Sequence, residues 1–166
     1  LTDIPADTDE LLISDAGTLK RIDYSLVNTN RPYFEGQLGG GNQAISDATL
    51  TKLLVTEILD SDSMFASNKW TPTTVGYYYI YAGVANDVAS GNLVQTHARI
   101  YKNGSNLQYH LNNYSGNPGE AQTTWTHAIE YLDGDDYIEF YAYSSTNDSG
   151  DGSIQSISRF GGFRIA

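Results

Sequence analysis

Polar and hydrophobic residues alternate one by one in several short segments of this chain. The alternation is clear in Lys52–Ile58, His97–Tyr101 and Tyr137–Tyr143, where neighbouring side chains would point to opposite faces of a strand. No segment keeps the apolar repeat that an amphipathic helix shows over about eleven residues. Glycine, asparagine and serine interrupt the segments about every eight to twelve residues, as in sandwiches and barrels. The pattern predicts an all-β fold, an antiparallel β-sandwich.

Turn residues separate the predicted strands. Asn103-Gly104 is a hairpin signal, because both residues tolerate the left-handed backbone of a two-residue turn. The acidic stretch Asp133–Asp136 around Gly134 indicates a second tight reversal. Strands are therefore expected on both sides of each of these turns, with the first strand of the sandwich at about Pro32–Leu38.

The first thirty residues differ from the rest. Two short apolar runs, Leu11–Ile13 and Leu19–Ile22, flank a turn at Asp15–Gly17, which predicts a hairpin too small to bury a core of its own. Asn28–Pro32 has the composition of a linker, since proline breaks strand pairing. We therefore divide the chain into an N-terminal stem and linker at 1–31 and one domain at 32–166.

One segment, Gly76–Val84, is apolar or aromatic at nearly every position. A strand with one wet face should alternate, so this composition predicts cover on both faces. One face would meet the opposite sheet and the other a second subunit. The alternative is that its tyrosines face solvent and satisfy their hydroxyl groups there.

Composition excludes several classes of function. The chain has 166 residues, a net charge of -11 and no cysteine. The acidic balance argues against nucleic-acid binding, which needs basic side chains on the phosphates. Thiolate catalysis and disulfide staples are excluded, and no uncharged stretch suits a membrane-spanning helix. We expect neither a nucleic-acid partner nor membrane insertion.

Signals for catalysis are missing. His97, His110 and His127 lie in separate predicted strands without the spacing of a zinc site, and the chain contains no nucleophile elbow and no phosphate loop. We therefore expect no enzyme activity, no catalytic residue and no cofactor.

Two acidic clusters are candidates for calcium, because hard oxygen ligands suit that ion. Neither cluster has the glutamate that completes an EF-hand loop, and turn formation or a solvated loop tip explains them equally. The candidate ligands are Asp133, Asp135 and Asp136 in one cluster, and Asp148 and Asp151 in the other.

A polar and aromatic stretch is the candidate for recognition of a partner, since such mixtures are favoured at adaptable binding surfaces. We expect it in a loop, where the same composition is also common. Its candidate residues are Tyr109, Asn112, Asn113 and Tyr114. Tryptophans could stack on sugars; we place Trp70 in a loop and Trp125 in the packed interior.

Four motifs in order resemble the C1q-like domains, which are related to the tumour necrosis factor jelly roll. They are Gly76-Tyr77-Tyr78-Tyr79-Ile80, Ile100-Tyr101-Lys102-Asn103-Gly104, Tyr131-Leu132-Asp133-Gly134-Asp135 and the closing Phe160-Gly161-Gly162-Phe163-Arg164-Ile165. The resemblance covers the chain from Pro32 to the C-terminus. It departs from the family at Asp136, an extra residue in the late turn, and at Gly161, where serine is common.

The resemblance implies a jelly roll of two antiparallel sheets and a homotrimer whose axis is lined by apolar side chains. Tyr78 and Ile80 would then face the core, although a register shift of one residue would exchange the two faces. The candidates for the trimer interface are Tyr77, Tyr79, Tyr81, Phe163 and Ile165.

The opening stretch Asp9–Ile22 resembles short segments of bacteriophage tail-fibre and other virion proteins. This resemblance implies a non-enzymatic trimeric virion module, extracellular on the tail or capsid surface, that attaches to the host. Its partners would be itself, a host cell-surface glycan or protein, and other virion proteins through the N-terminal segment. The alternatives are a structural decoration protein, a polysaccharide-active enzyme and a secreted bacterial C1q-like adhesin.

Overall fold

The computed structural model describes residues 10–23, 31–116 and 119–165, so most of the predicted linker Asn28–Pro32 lies outside the described residues. The chain divides into two compact units, residues 1–31 and residues 32–166. All regular elements in the described ranges are β-strands. None of these residues forms a helix long and apolar enough to cross a membrane.

The first unit contains the hairpin that the sequence predicts. Strand β1 (Glu10–Asp15) pairs antiparallel with β2 (Thr18–Asp23). Ala16 and Gly17 connect them with φ angles of 48° and 84°, the left-handed pair that a tight hairpin turn requires. Exposed ion pairs of Lys20 with Asp15 and of Arg21 with Glu10 join the strands. Such exposed pairs add little stability.

The second unit is a sandwich of two antiparallel sheets. Its strands are β3 (Tyr33–Leu38), β4 (Gln43–Ile45), β5 (Thr51–Lys52), β6 (Val55–Asp60), β7 (Phe65–Ala66), β8 (Lys69–Trp70), β9 (Gly76–Val88), β10 (Leu93–Lys102), β11 (Ser105–Asn113), β12 (Ala121–Leu132), β13 (Ile138–Thr146), β14 (Gly152–Ile154) and β15 (Arg159–Arg164). The six-stranded sheet has the order β11-β10-β13-β8-β7, with β5 also paired to β13. The seven-stranded sheet has the order β4-β14-β9-β15-β3-β6, with β12 along the other side of β9.

The core lies between the two sheets and follows the predicted alternation. Tyr78 and Ile80 of β9 are fully buried, opposite Ala98 and Ile100 of β10 and Phe140 of β13. The Tyr78 hydroxyl donates to the carbonyl of Thr74. Burial raises the pKa of Tyr78 to about 12, because the phenolate would be poorly solvated there. The all-β sandwich jelly roll is confirmed.

The segment Lys52–Ile58 was predicted as one strand, but it contributes to two strands. The chain passes from one sheet to the other within it: β5 pairs with β13 and β6 pairs with β3. Leu53, at the crossing, is buried, and its N–H donates to the carbonyl of Phe140. Leu53 therefore packs in the core where the alternation predicts an ordinary strand position.

Trp70 lies in a strand, although we predicted it in a loop. It lies in β8 with 1% of its surface exposed, stacked on Phe34 and edge-on to Tyr78. A Cβ on Gly162 would come within 2.6 Å of the indole, so this glycine makes room for the ring. Trp70 is a core residue and cannot stack on a sugar at the surface.

Candidate functional site

The outward side of β9 borders solvent in the single chain. Tyr78 and Ile80 face the core, which leaves Tyr77, Tyr79 and Tyr81 on the opposite face of the seven-stranded sheet. Tyr77 is 52% exposed. The single chain does not cover this face, so its burial against a second subunit stays a prediction, and the strand register places the three tyrosines outward.

These tyrosines belong to a continuous apolar surface. In one row across four strands, Ile129 pairs with Tyr79, Tyr79 with Phe163, and Phe163 with Tyr33. The Tyr79 and Phe163 ring centres are 5.4 Å apart. The surface, called here the aromatic face, consists of Tyr33, Tyr77, Tyr79, Tyr81, Trp125, Ile129, Tyr131 and Phe163.

One residue of this region, Trp125, differs from its predicted setting, whereas the interface candidate Ile165 stays a prediction. Trp125 is 56% exposed instead of packed in the interior. Ile165, an interface candidate, lies just beyond β15, is 44% exposed, and donates its N–H to the carbonyl of Tyr77. The sequence interpretation missed four residues of the aromatic face, which are Tyr33, Trp125, Ile129 and Tyr131.

The recognition candidates lie in and beside a strand, which corrects their assignment to a loop. Tyr109, Asn112 and Asn113 belong to β11, and Tyr114 follows directly. Asn112 donates to the buried hydroxyl of Thr124, while the Tyr114 hydroxyl lies 2.9 Å from that of Thr96. Those two side chains support the interior, whereas Tyr109 is 48% exposed.

Tyr109 begins a second cross-strand row, on the outward face of the six-stranded sheet. Tyr109 pairs with Arg99, Arg99 with Tyr141, and Tyr141 with Lys52. The Arg99 guanidinium lies 4.9 Å from the centre of the Tyr109 ring, a cation–π contact. Tyr101 stacks beside Tyr141, with ring centres 4.3 Å apart.

His97 orients the Arg99 guanidinium. The two N–H groups at Nε and Nη2 of Arg99 donate to Nδ1 of His97, over 3.2 and 2.7 Å. Nε2 of His97 therefore carries the ring proton and donates to Gln95, at 3.0 Å. Burial, with a smaller contribution from the charge of Arg99, lowers the pKa of His97 to about 4, so the ring is neutral at pH 7.

A carboxylate shared by two lysines lies at the edge of the same face. Glu139 is 5% exposed, and its Oε1 is 2.6 Å from Nζ of Lys52 and 4.0 Å from Nζ of Lys69. Lys69 also lies over the Tyr137 ring, 3.8 Å from its centre. The alternation placed His97, Arg99 and Tyr101 on one side of a strand, but no sequence signal paired them with Lys52 and Glu139.

The first acidic cluster forms a turn, and the side chain of Lys102 from β10 contacts it. Ligand oxygens of Asp133, Asp135 and Asp136 lie within 4.8 Å of one another. Burial pushes the pKa of Asp136 upward, but hydrogen bonds from the Asp133 N–H, Lys102 and Asn103 outweigh it and lower the pKa to about 2. The ammonium of Lys102, 2.9 Å from Asp136, already supplies a positive charge. Calcium at this turn stays a prediction.

The two carboxylates of the second acidic cluster accept hydrogen bonds from different parts of the chain, and calcium there also stays a prediction. Asp148 accepts from the Gly150 N–H and the Ser90 hydroxyl, whereas Asp151 accepts from the Asp47 N–H. The backbone hydrogen bond from Gly150 is the main cause of a lowered pKa of Asp148. Both carboxylates serve as hydrogen-bond acceptors that hold loop backbone, and neither completes a metal-ligand cluster within the described ranges.

No protein-family model and no curated protein sequence matches the chain. Several solved structures do. Murine APRIL superposes with a TM-score of 0.59 at 10% identity, covering 82% of this chain and 100% of that one. The Eiger TNF from S. frugiperda gives 0.58 at 11% identity, with 82% and 92% covered. The globular domain of zebrafish complement 1qA gives 0.56 at 13% identity, with 81% and 98% covered.

These similarities concern the backbone and not the side chains. With identities of 10 to 13%, they establish the architecture alone. The ordered motifs from Gly76 to Ile165 and the two-sheet topology lead to the same assignment. Residues 32–166 have the jelly-roll fold of the C1q and tumour necrosis factor-like domains.

Proposed function

We propose that the chain is a non-enzymatic, homotrimeric module of a bacteriophage tail-fibre-type protein that attaches the virion to its host. The aromatic face is the observation that carries this proposal. It presents side chains from four neighbouring strands to solvent, with Ile129 62% and Trp125 56% exposed. A contiguous apolar patch of this kind is unusual on a monomer and marks an interaction surface.

A second copy of the chain is the partner that fits the aromatic face. Its central row, Tyr79, Phe163, Tyr33 and Ile129, carries no charge, so burial against an identical face leaves no ion unpaired. In a cyclic oligomer each copy covers the face of a neighbouring copy, so no aromatic face remains exposed. Three-fold closure is the arrangement that the C1q-like resemblance implies.

Host attachment follows from the combination of a rigid scaffold and repeated binding sites. Three copies held at fixed distances convert weak single contacts into strong overall binding. The hairpin of β1 and β2 lies in the segment that resembles phage virion proteins, and its exposed strands offer an attachment to other virion proteins. The proposed location is the virion surface, outside the cell.

Association is tested by mass measurement in solution, together with Tyr79→Asp. A species three times the subunit mass is expected for the unchanged chain at micromolar concentration. Tyr79→Asp should give monomers, because a buried unpaired carboxylate costs several kcal/mol. Leu54→Asp is the matched control, since Leu54 is 56% exposed and lies outside the aromatic face. A monomeric unchanged chain would contradict the trimer.

Attachment is tested by binding of fluorescently labelled protein to a panel of bacterial strains. Binding restricted to some strains and weakened in Tyr79→Asp supports host recognition, because it depends on repetition of the sites. An assembled trimer that binds none of the strains supports the second candidate, a structural decoration protein.

A further inference from the structure

The two sheets carry opposite balances of charge. The strands of the six-stranded sheet hold four cationic side chains, Lys52, Lys69, Arg99 and Lys102, and one carboxylate, Glu139. Those of the seven-stranded sheet hold two cationic side chains, Arg159 and Arg164, and five carboxylates, Glu35, Glu57, Asp60, Asp87 and Glu130. In a chain of net charge -11, the six-stranded sheet is a local cationic surface.

Lys102 does not contribute to this surface, because Glu130 and Asp136 neutralise it. The remaining three cations lie on the outward face of the sheet, with Lys52 and Lys69 sharing the single carboxylate of Glu139. The outward face is therefore net positive. It is called here the cationic face and consists of Lys52, Lys69, His97, Arg99, Tyr101, Tyr109, Tyr141 and Tyr143.

Arg99 is held in place but is not neutralised. His97 accepts two of its five N–H groups, and the neutral imidazole brings no negative charge. Within the part of the chain that the structure describes, no carboxylate lies at salt-bridge distance from Arg99. A half-buried guanidinium that keeps further N–H groups can donate two parallel hydrogen bonds to a planar carboxylate.

Aromatic side chains lie on both sides of Arg99. Tyr109 lies under its guanidinium, and its cross-strand partner on the other side is Tyr141 of β13, which stacks on Tyr101 of the same strand as Arg99. Tyr143 continues the surface, stacked on His97 with ring centres 4.5 Å apart. Tyrosine rings of this kind pack against the C–H side of a sugar ring, while their hydroxyl groups hydrogen-bond to its edge.

We infer that the cationic face binds an acidic polysaccharide, with Arg99 pairing to a uronic-acid carboxylate and Tyr109 and Tyr141 packing against the sugar rings. Lys52 lies two strands from Arg99 in the same cross-strand row. Because Lys52 and Lys69 share the one carboxylate of Glu139, one positive charge remains there to pair with a second charge along the polymer. The inference rests on the proposed role in host attachment and names the chemistry of the receptor.

The charge balance disfavours a more densely charged polymer. Nucleic acid carries a charge at every phosphate and needs an extended basic surface. Three cations on a chain of net charge -11 suit a ligand with one carboxylate per sugar. A sulfate group, like a carboxylate, can accept two hydrogen bonds from one guanidinium. Sulfated polysaccharide is therefore the main competing ligand, and the experiment includes it.

The test measures binding of the full chain to immobilised polygalacturonate, dextran sulfate and neutral dextran. We expect polygalacturonate to bind and dextran not to bind. Arg99→Gln should weaken the binding about tenfold or more, the loss expected for one charge-assisted contact. Arg159→Gln is the matched control, because it removes the same charge from the other sheet and should change affinity less than about twofold.

Tyr109→Ala provides a second variant in case Arg99→Gln does not fold. Tyr109 is 48% exposed, so its truncation should leave the fold intact and still weaken polygalacturonate binding. Thermal unfolding of each variant verifies the fold. Failure of the unchanged chain to bind polygalacturonate, full binding by Arg99→Gln and Tyr109→Ala, or equal binding of dextran sulfate would each overturn the inference.

Parallel binding to cells separates this inference from the proposed function. A chain that binds host strains but not polygalacturonate keeps the attachment role and loses the acidic ligand. A chain that binds polygalacturonate through Arg99 but no strain keeps the ligand and loses the attachment role.

Discussion

The indole of Trp125 lies across Gly83, its direct cross-strand partner on β9. A Cβ on Gly83 would approach three atoms of the indole to 2.5, 2.6 and 2.7 Å, closer than real contacts allow. Without a side chain at position 83, a large aromatic residue can lie against the sheet while remaining 56% exposed. The pair therefore shapes one end of the aromatic face.

Gly83→Ala should lift Trp125 from the sheet. The added methyl group overlaps the far end of the indole, which is exposed enough to move aside, so we expect a loss of about 0.5 to 1.5 kcal/mol in the free energy of unfolding. Tryptophan fluorescence should shift, and self-association measured by sedimentation should weaken. In a Trp125→Ala background the same substitution should cost little, because its clash partner is gone. An equal cost in both backgrounds would contradict the packing argument.

Glu139→Gln tests the buried carboxylate between two lysines. Lys52 lies 2.6 Å away and Glu139 is 5% exposed, so we expect a loss of about 1 to 3 kcal/mol in the free energy of unfolding, measured by chemical denaturation. Glu35→Gln is the control, because its pair with Arg159 spans 3.9 Å at the surface. Its cost should stay below about 0.5 kcal/mol. The prediction fails if the two variants are equally stable.

His97 should make the domain less stable in mild acid. Its pKa falls from 6.5 to about 4 on folding, chiefly through burial. Between these values the unfolded chain binds a proton that the folded chain excludes. Stability should therefore decrease by about 2 to 3 kcal/mol as the pH falls from 6.5 to 4.

His97→Gln should remove most of that slope, since glutamine is neutral at every pH of the titration and can still accept from Arg99. The control is His110→Gln, at an exposed position of β11. Denaturation curves at several pH values provide the measurement. An unchanged slope in His97→Gln would show that another group is responsible.

Asp136 acts in a lower pH range. Its pKa is lowered from 3.8 to about 2, because the hydrogen bonds to its carboxylate outweigh the effect of burial. A carboxyl group with a lowered pKa stabilises the fold above its unfolded pKa, and that contribution disappears as the pH falls from 3.8 towards 2.

Asp136→Asn should lower stability at pH 7 by about 1 to 2 kcal/mol and flatten the pH dependence below 4. Asp135→Asn, at an exposed position of the same turn, is the control. If both variants flatten the curve equally, the hydrogen bonds to Asp136 are not the cause.

Local patterns were sufficient for some of the elements. Alternation predicted the strands around His97–Tyr101 and Tyr137–Tyr143, and Asn103-Gly104 predicted the hairpin between β10 and β11. All three are confirmed, with the second of these strands beginning at Ile138. They succeed because the direction of successive side chains and the permitted φ angles depend on neighbouring residues in the chain.

Misplaced residues show where such patterns stop. Leu53 crosses between sheets, Trp70 is buried and Trp125 is exposed. In each case the outcome depends on a residue far away in the chain. The carbonyl of Phe140 accepts the hydrogen bond from the Leu53 N–H. The missing side chains of Gly162 and Gly83 leave space for the indoles of Trp70 and Trp125. The residues that neighbour these positions in the sequence do not indicate those partners.

The sequence by itself determined an all-β domain with one tyrosine-rich strand, preceded in the chain by a short hairpin. Only the tertiary structure decided that Tyr77, Tyr79 and Tyr81 face solvent, and that Arg99 stands beside Tyr109 and Tyr141 with Lys52 in the same row. The physical reason is that strand register sets which face a side chain takes. Register depends on pairing between segments far apart in the chain.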